Sequence, residues 1–359
     1  LWPSAHTEHS LKNSPWRDGW GDVVAEVSAA CARAGLKFGV YCSPWDRHER
    51  SYGDSPAYNA FFRAQLRELL SNYGPIAEVW FDGACAEGPN GKRQEYDWDS
   101  YYALVRQLQP EAVIAICGPD VRWVGNESGL ARDDEWSVVA GPRGQGERGV
   151  DFLEVDNGAN DLGSRDNLAE SEVSFWYPAE CDVSIRPGWF YHASQDLQVK
   201  SLEHLLDIYY RSVGRNSVLL LNVPPDQRGL FHENDVERLN ELRAVLDATF
   251  EEDVARLAQG GSAAVDGAGD SHWSAQSDID VLTLDLGAEK TVDRLLLQEA
   301  IEEGQRVERF VLEGLHEGQW KEIIRGGCIG YKRLERFSRV TIRRVRLRIQ
   351  AARAPARLR

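Results

Sequence analysis

The sequence predicts two domains, an α/β barrel of the (β/α)8 type followed by an antiparallel β-sandwich. The barrel is predicted by near-continuous apolar runs, which are typical of parallel strands covered on both faces, and by amphipathic segments of helical spacing between them. The sandwich is predicted by a change after Thr249, where short alternating segments are separated by turns that contain Gly or Asp. We therefore expect a barrel domain over residues 1–249 and a sandwich over residues 250–359.

Regular spacing of the apolar runs supports the barrel. The first three predicted strands begin at 36, 76 and 112, so they are 40 and 36 residues apart, as βα units with long loops are. Asp22 is predicted to cap a helix that ends at Gly35. The predicted barrel strands are 36–43, 76–83, 112–117 and 217–223; the other helices begin at Ser55 or cover 101–108, 202–213 and 233–246; the sandwich strands are 281–286, 294–298, 309–313 and 343–349.

Composition favours a neutral, hydrated ligand. The chain has 57 acidic and 41 basic residues, a net charge of -16, whereas nucleic acids bind cationic surfaces, so we expect no nucleic-acid partner. No apolar run approaches the ~20 residues that span a membrane, so no membrane span is predicted. The twelve Trp residues suit either a core or the apolar face of a sugar. The alternating arginines of 343–348 are predicted to lie on a solvated face.

Cysteine and histidine patterns predict no metal site. None of the six cysteines has the spacing of a zinc site or a CxxC motif, and several lie in apolar runs, so we expect small core residues rather than a disulfide framework. His6 and His9 lie close together, but no third ligand accompanies them.

Two carboxylates follow neighbouring predicted strands. In a barrel of βα units, functional side chains lie at the carboxyl ends of the strands. Asp82 comes directly after Val79-Trp80-Phe81, although an Asp-Gly pair at a strand end is also typical of a turn or a helix cap. Glu127 follows the next strand by ten residues, in an N-x-S sequon that is equally typical of a surface loop. Two carboxylates are the minimal equipment for glycoside hydrolysis, yet among 57 acidic residues coincidental pairs are common.

Residues 78–83 resemble the nucleophile strand of glycoside hydrolase family 29, the α-L-fucosidases. Residues 118–127 resemble the acid/base segment of the subfamily that cuts α-1,3 and α-1,4 fucosyl linkages. Further runs that resemble the family are 2–4, 13–16, 21–24, 36–43 and 219–225. Together they extend over nearly the whole chain in the order of the family.

The resemblance implies a retaining double displacement without a metal or organic cofactor. Asp82 would attack C1 of fucose, and Glu127 would serve as the acid and then as the base. Retention implies carboxyl groups roughly 5–5.5 Å apart, in surroundings that separate their pKa values.

The resemblance also implies a set of sugar-binding residues. Trp189 would pack against the C6 methyl group that distinguishes fucose from galactose, while Trp45 and His48 would contact the next sugar. Core packing, or an ordinary loop for His48, is the alternative at each position. The full set is Trp2, Tyr41, Trp45, His48, Trp80, Trp123, Glu180, Arg186 and Trp189.

Members of the family carry a further block of barrel, with a strand that ends in a His-His pair, before the position of Leu1. We therefore expect an N-terminally incomplete barrel with an open seam. Residues 351–359 do not resemble a finished strand. The expected partner is a fucosylated oligosaccharide or glycoconjugate, and the resemblance implies secretion or a periplasmic location; the oligomeric state is not predicted.

Two other functions are compatible with the sequence. One is a non-catalytic glycan-binding remnant of a fucosidase, and the other is a different retaining glycosidase on the same barrel. In the sandwich, His272-Trp273-Ser274 after 266–270 would hold a sugar or a calcium ion, unless that domain only supports the barrel.

Overall fold

A computed structural model describes residues 1–83, 85–145, 149–256 and 258–359 of the chain. The chain forms two compact units. Unit 1 comprises Leu1–Arg122 and Gly141–Val155, and unit 2 comprises Trp123–Ala140 and Asp156–Arg359. The boundary predicted at residue 249 falls inside unit 2, at the end of its last long helix.

Unit 1 is built on a three-stranded parallel sheet. Tyr41 and Trp80 are partners in its register, as are Trp80 and Ala115. As predicted, Asp22 caps the first helix by accepting a hydrogen bond from the backbone N–H of Ala25. The sheet order is β1-β2-β3, with β1 at Gly39–Tyr41, β2 at Glu78–Trp80 and β3 at Val113–Ala115; the helices are α1 at Val23–Ala34, α2 at Ser55–Asn72 and α3 at Trp98–Leu108.

An aromatic core anchors β2. Phe81, directly after the strand, is fully buried, and its ring centroid lies 6.2 Å from that of Phe62 on α2 and 6.3 Å from that of Tyr102 on α3. Phe62 also packs against Tyr101 at 4.6 Å. Burying a side chain of this size contributes about 1.5–3 kcal/mol, so this cluster fixes the residue that precedes Asp82.

The part of unit 2 that precedes residue 251, called the barrel part below, contains a second three-stranded sheet. Its order is β4-β7-β8, and β7 and β8 are parallel. Except for β8, the sequence did not predict these strands. They are β4 at Arg122–Trp123, β7 at Ala179–Ser184 and β8 at Val218–Asn222, while β5 at Val138–Gly141 pairs with β6 at Val173–Trp176; the helices are α4 at Arg165–Ala169, α5 at Leu202–Arg211 and α6 at Glu233–Phe250.

The sandwich forms the rest of unit 2. The predicted segments 281–286 and 294–298 are parts of one long strand, with a register shift between them. Residues 351–359 include a strand that the sequence did not predict. The elements are α7 at Ser262–Val265, β9 at Trp273–Ser274, β10 at Asp280–Leu297, β11 at Val307–His316, β12 at Gln319–Gly326, β13 at Arg333–Ala352 and β14 at Arg357–Leu358; the sheet orders are β10-β13-β11-β12, all antiparallel, and β14-β9.

Side chains from both sheets form the sandwich core. Leu282, Phe310 and Leu347 from the large sheet share it with Leu358 from the small one, and Trp273 packs against it. Trp273 therefore has a packing role, and sugar or calcium binding near His272 stays a prediction.

The arginines of β13 lie at the surface of the sandwich but are paired. Arg343 and Arg344 both donate to Asp285, and their hydrogen bonds hold the pKa of that carboxyl well below its usual range. Arg346 donates to Glu313, which is buried. The charged face predicted for 343–348 is therefore an ion-pair network.

Asn216 connects the sandwich to the barrel part of unit 2. It is buried, adopts a left-handed backbone conformation (φ 60°) and lies two residues before β8. Its side chain donates to the Glu135 carbonyl at 2.9 Å and to Ser137 Oγ at 3.0 Å. It accepts from the N–H of Tyr331 at 2.7 Å and also contacts Gln305 Oε1 at 3.2 Å. One amide thus satisfies polar groups from three segments.

We expect Asn216→Ala to destabilise the protein by about 3 kcal/mol or more, because each orphaned buried polar group costs about 1–3 kcal/mol and alanine disfavours left-handed backbone. Urea unfolding followed by Trp fluorescence measures the change. Asn240→Ala, an exposed position on α6, is the matched control and should shift stability by no more than about 0.5 kcal/mol. Equal midpoints for the two variants would contradict the role of Asn216.

Glu299 predicts a pH dependence of stability. The carboxyl is buried and accepts hydrogen bonds from the N–H groups of Arg306, Val307 and Gly330 at 2.8, 3.0 and 2.7 Å. Burial outweighs these bonds and raises its pKa from 4.5 to about 7. Between these values the folded state holds a proton that the unfolded state has released, so stability should fall as pH rises through this window, by about 3 kcal/mol in all. Above pH 7 the contribution is lost.

The measurement is the unfolding free energy at pH 5 and pH 7.5 for the wild type and for Glu299→Gln, which cannot titrate. The wild type should lose more stability than Glu299→Gln over this interval. Glu289→Gln, at an exposed position of β10, should behave as the wild type does. Parallel pH profiles for the wild type and Glu299→Gln would rule out this assignment.

Candidate active site

The carboxyl end of β2 presents Asp82. This residue is half-buried and has a left-handed backbone, with φ 75°. The Tyr41 hydroxyl donates a hydrogen bond to Asp82 Oδ2. Because Tyr41 and Trp80 are partners in register, their rings stack with centroids 5.2 Å apart and an interplanar angle of 24°. Asp82 is therefore a carboxylate oriented by a phenol beside an aromatic wall.

Tyr41 is fitted to remain a hydrogen-bond donor. Partial burial, the hydrogen bond to Asp82 and the charge of that carboxylate raise the pKa of Tyr41 well above its usual range. A phenol with a raised pKa keeps its proton at neutral pH and remains available as a donor. The Tyr41 hydroxyl therefore orients the carboxylate of its acceptor, Asp82.

The end of β3, the next strand, is also left-handed. We predicted a strand as far as Cys117, but β3 ends at Ala115, and Ile116 and Cys117 have φ of 47° and 57°. Such a conformation costs about 1–2 kcal/mol per residue and is a clear outlier for β-branched Ile116. The Tyr102 hydroxyl donates to the Cys117 carbonyl at 2.5 Å, which helps to hold the turn.

Other predicted residues of unit 1 have different partners. Trp2 Nε1 donates to Glu68 at 2.8 Å, and His48 stacks on His9 with ring centroids 4.0 Å apart. Trp45 packs against the core, and its buried indole N–H has no hydrogen-bond partner among the described residues. The structure thus brings Tyr41 to Asp82 and Trp80 to Tyr41, whereas sugar contacts stay predictions for all five residues.

Glu127 lies in unit 2, on an exposed turn after β4. Asn126 Oδ1 accepts from the N–H of Ser128 at 3.0 Å, and Asn126 Nδ2 donates to the Leu130 carbonyl at 2.8 Å. Arg132 stabilises the turn by donating hydrogen bonds to backbone carbonyls, including that of Val124 at 3.3 Å. Glu127 is therefore a solvent-exposed carboxylate on a fixed turn. Asp82 and Glu127 belong to different units, and the separation of their carboxyl groups stays a prediction.

Strand β7 carries a buried polar row. Glu180, Asp182 and Ser184 alternate with apolar residues, so they share one face of the strand. Asp182 accepts from Trp123 Nε1 at 2.7 Å, and Ser184 Oγ accepts from Asn222 Nδ2 at 2.9 Å. Glu180 and Trp123 were predicted from the sequence as site residues, whereas Asp182, Ser184 and Asn222 were not. The period-2 alternation of 179–184 is the signal that identifies Asp182 and Ser184.

Arg186 is fully buried and bound by two carboxylates. Its Nε donates to Asp235 at 2.9 Å and its Nη1 donates to Asp196 at 2.9 Å. Asn222 Nδ2 also donates to the Trp189 carbonyl at 3.0 Å. These bonds fix the loop after β7 that carries Trp189. Direct sugar contacts by Arg186 and Trp189 stay predictions.

The described residues contain neither a metal-binding cluster nor a membrane-spanning helix. Across 1–83, 85–145, 149–256 and 258–359, no group of three or more His, Cys, Asp and Glu side chains is arranged to hold a metal ion. Within the same residues, no helix combines the length and the apolar character needed to cross a bilayer.

Comparison with known families assigns both parts of the chain. The α-L-fucosidase family model matches residues 1–249. The F5/8 type C domain model matches residues 249–358. The first match alone covers more than half of the chain.

Individual relatives agree with these matches. Alpha-L-fucosidase 1 of Arabidopsis thaliana is 41% identical over 360 residues, which cover 95% of this chain and 68% of the relative. A solved protein of Bacteroides ovatus ATCC 8483, classed with the α-L-fucosidases, is 50% identical with a TM-score of 0.91, and the match covers all of this chain. A family 29 fucosidase of Ruminococcus gnavus, solved in complex with fucose, is 30% identical with a TM-score of 0.82 over the whole chain and 78% of its own length.

The chain spans 60% of the Bacteroides ovatus structure and about two thirds of the plant relative. The family matches, the plant relative and these structures nevertheless agree over nearly every residue present. The chain therefore belongs to glycoside hydrolase family 29, the α-L-fucosidases.

Proposed function

We propose that this chain carries the catalytic carboxylates of an exo-acting, retaining α-L-fucosidase that releases α-1,3- or α-1,4-linked fucose from neutral glycans. The observation that carries the proposal is Asp82, which follows β2 and accepts a hydrogen bond from the Tyr41 hydroxyl, while the Trp80 ring stacks on that of Tyr41. The family membership supports fucose as the sugar, and the Ruminococcus gnavus relative was solved with fucose bound.

The first half of the reaction forms a covalent intermediate. Asp82 attacks C1 of fucose, and the bond from C1 to the glycosidic oxygen breaks. Glu127 gives its proton to that oxygen, so the rest of the glycan leaves as an alcohol. The Tyr41 hydrogen bond holds the Asp82 carboxylate in one orientation before the attack, which lowers the entropic cost of reaching the transition state.

The second half returns both carboxyl groups to their starting states. Glu127, now ionised, takes a proton from water while the water oxygen attacks C1 and releases Asp82. Two inversions give net retention of the α configuration. The exposed turn that carries Glu127 suits this role because the residue must accept and donate a proton in every cycle.

Substrate selection is proposed to depend on aromatic walls. The Trp80 and Trp189 rings present apolar surfaces. Packing the C6 methyl group of fucose against such a surface is favourable, whereas the C6 hydroxyl of galactose would lose its hydration there without gaining a hydrogen bond. The net charge of -16 supports a neutral glycan over an anionic one.

We expect Asp82→Asn to lower kcat for L-fucose release from a Lewis-type trisaccharide by at least about 10³-fold, or about 4 kcal/mol, because the amide cannot form the glycosyl ester. Asp99→Asn, an exposed acid on α3, is the matched control and should retain wild-type kcat. The complete protein is assayed by fucose release. Cleavage of an aryl galactoside but not of the matched aryl fucoside would contradict the assignment.

Glu127→Ala should lose about 10²–10⁴-fold in kcat on the trisaccharide, because the leaving oxygen no longer receives a proton. An aryl fucoside with an activated leaving group should be affected less in the first step. Added azide should then intercept the intermediate and give α-L-fucosyl azide, identified by NMR. A β-configured azide, or no azide product from a folded variant, would count against retention with Glu127 as acid/base.

A further inference from the structure

Three non-glycine residues at two neighbouring strand ends share the left-handed conformation. They are Asp82 after β2 and Ile116 and Cys117 after β3. The strands are parallel neighbours, so their carboxyl ends lie side by side. Backbone strain of this kind persists only where surrounding contacts hold it, and it concentrates where side chains must be aimed.

Tyr102 on α3 contacts both strand ends. Its ring packs at 6.3 Å from that of Phe81, the residue before Asp82. Its hydroxyl donates to the Cys117 carbonyl at 2.5 Å. The side chain is buried. One phenol therefore connects the segment that leads into Asp82 with the turn that follows β3.

The Cys117 side chain completes the contact. Its Sγ lies 3.5 Å from the position that a Cβ atom on Gly83 would occupy, so the thiol packs beside the residue that follows Asp82. A backbone hydrogen bond also joins the two strand ends, because the Phe81 N–H donates to the Ala115 carbonyl at 3.3 Å. Phe81 and Gly83 are the sequence neighbours of Asp82. Tyr102 contacts Phe81, and the Cys117 thiol packs against Gly83.

We propose that Tyr102 and Cys117 are positioning residues for Asp82, which fix the left-handed turn that aims its carboxylate at the anomeric carbon. This inference rests on the proposed function. Neither residue touches the substrate in this role. Tyr102 holds the turn after β3 because its hydroxyl donates to the Cys117 carbonyl, and the Cys117 side chain supports the Asp82-Gly83 turn by packing.

The state of the thiol agrees with a packing role. Burial, with added contributions from Cys85 and the Asp82 carboxylate, raises the pKa of Cys117 to about 12. The thiol is therefore neutral at working pH. It adds no negative charge next to the nucleophile and does not compete with it for the sugar.

The test compares Tyr102→Phe and Cys117→Ala with the wild type in the complete protein, by kcat and KM on 4-nitrophenyl α-L-fucoside. Each variant should lower kcat about tenfold or more while KM changes less than about twofold, because a small displacement of the nucleophile affects the transition state more than binding. The double variant should lose much less than the product of the two single losses, since both act on one turn.

The matched control is Tyr73→Phe. Tyr73 is also buried, and its hydroxyl donates to Asp22 at 3.0 Å, near the amino end of β2. It should retain wild-type kcat. Thermal unfolding shows whether each variant is folded. Tyr102→Phe removes only one oxygen atom, so it can test the proposal even if Cys117→Ala does not fold.

The outcomes separate this inference from the proposed function. A wild type that releases no fucose overturns both. An active wild type with folded variants of unchanged kcat, or with a loss confined to KM, overturns only the positioning role. An equal loss in Tyr73→Phe also overturns it, because the effect would then follow from any lost phenol hydroxyl.

Discussion

The site depends on the opposite orientation of two consecutive aromatic residues, Trp80 and Phe81. Phe81 is held in the core by α2 and α3, so β2 cannot rotate or slide without exposing it. Trp80 then faces the other way and stacks on Tyr41 across the register of β1 and β2. Because Trp80 and Phe81 are fixed in this way, the position of Asp82 is fixed as well. The Tyr41 hydroxyl donates a hydrogen bond to its carboxylate. The position of Asp82, the proposed nucleophile, is therefore a consequence of hydrophobic packing one residue earlier.

Unit 2 uses buried polar groups where unit 1 uses aromatic rings. On β7, Asp182 accepts from Trp123 and Ser184 accepts from Asn222, and Arg186 is bound by two aspartates. Such networks are costly when incomplete, because each unpaired buried group carries a desolvation penalty. They therefore specify one arrangement of loops. Asn216 extends this logic to the sandwich, because its side chain hydrogen-bonds to the Glu135 carbonyl, to Ser137 Oγ and to the Tyr331 N–H.

The sequence predicted those elements whose signals are local. Apolar runs identified β1, β2 and β8, and Asp22 and Gly35 marked the ends of α1 as the structure has them. The strand ending at Cys117 was predicted two residues too long, because a left-handed turn held by Tyr102 leaves no trace in hydrophobicity. Strand β7 was missed because both of its faces are buried and one of them is polar, so it lacks the continuous apolar run by which the other strands were predicted. Arg186 was named from the resemblance, but its two carboxylate partners lie 10 and 49 residues away and could not be read from its neighbours.

The different settings of Asp82 and Glu127 fit the different demands that the proposed retaining reaction would make on them. A nucleophile has to be ionised and aimed, and it gains nothing from contact with bulk water. Asp82 accordingly is half-buried and receives a hydrogen bond from the Tyr41 hydroxyl, which orients its carboxylate. An acid/base has to change protonation state twice in each cycle, so it needs access to water and little stabilisation of either state. Glu127 accordingly is exposed on a turn whose backbone, rather than whose carboxylate, is held by Asn126 and Arg132. These settings support the proposed order of roles, with Asp82 as the oriented nucleophile and Glu127 as the acid/base with access to water.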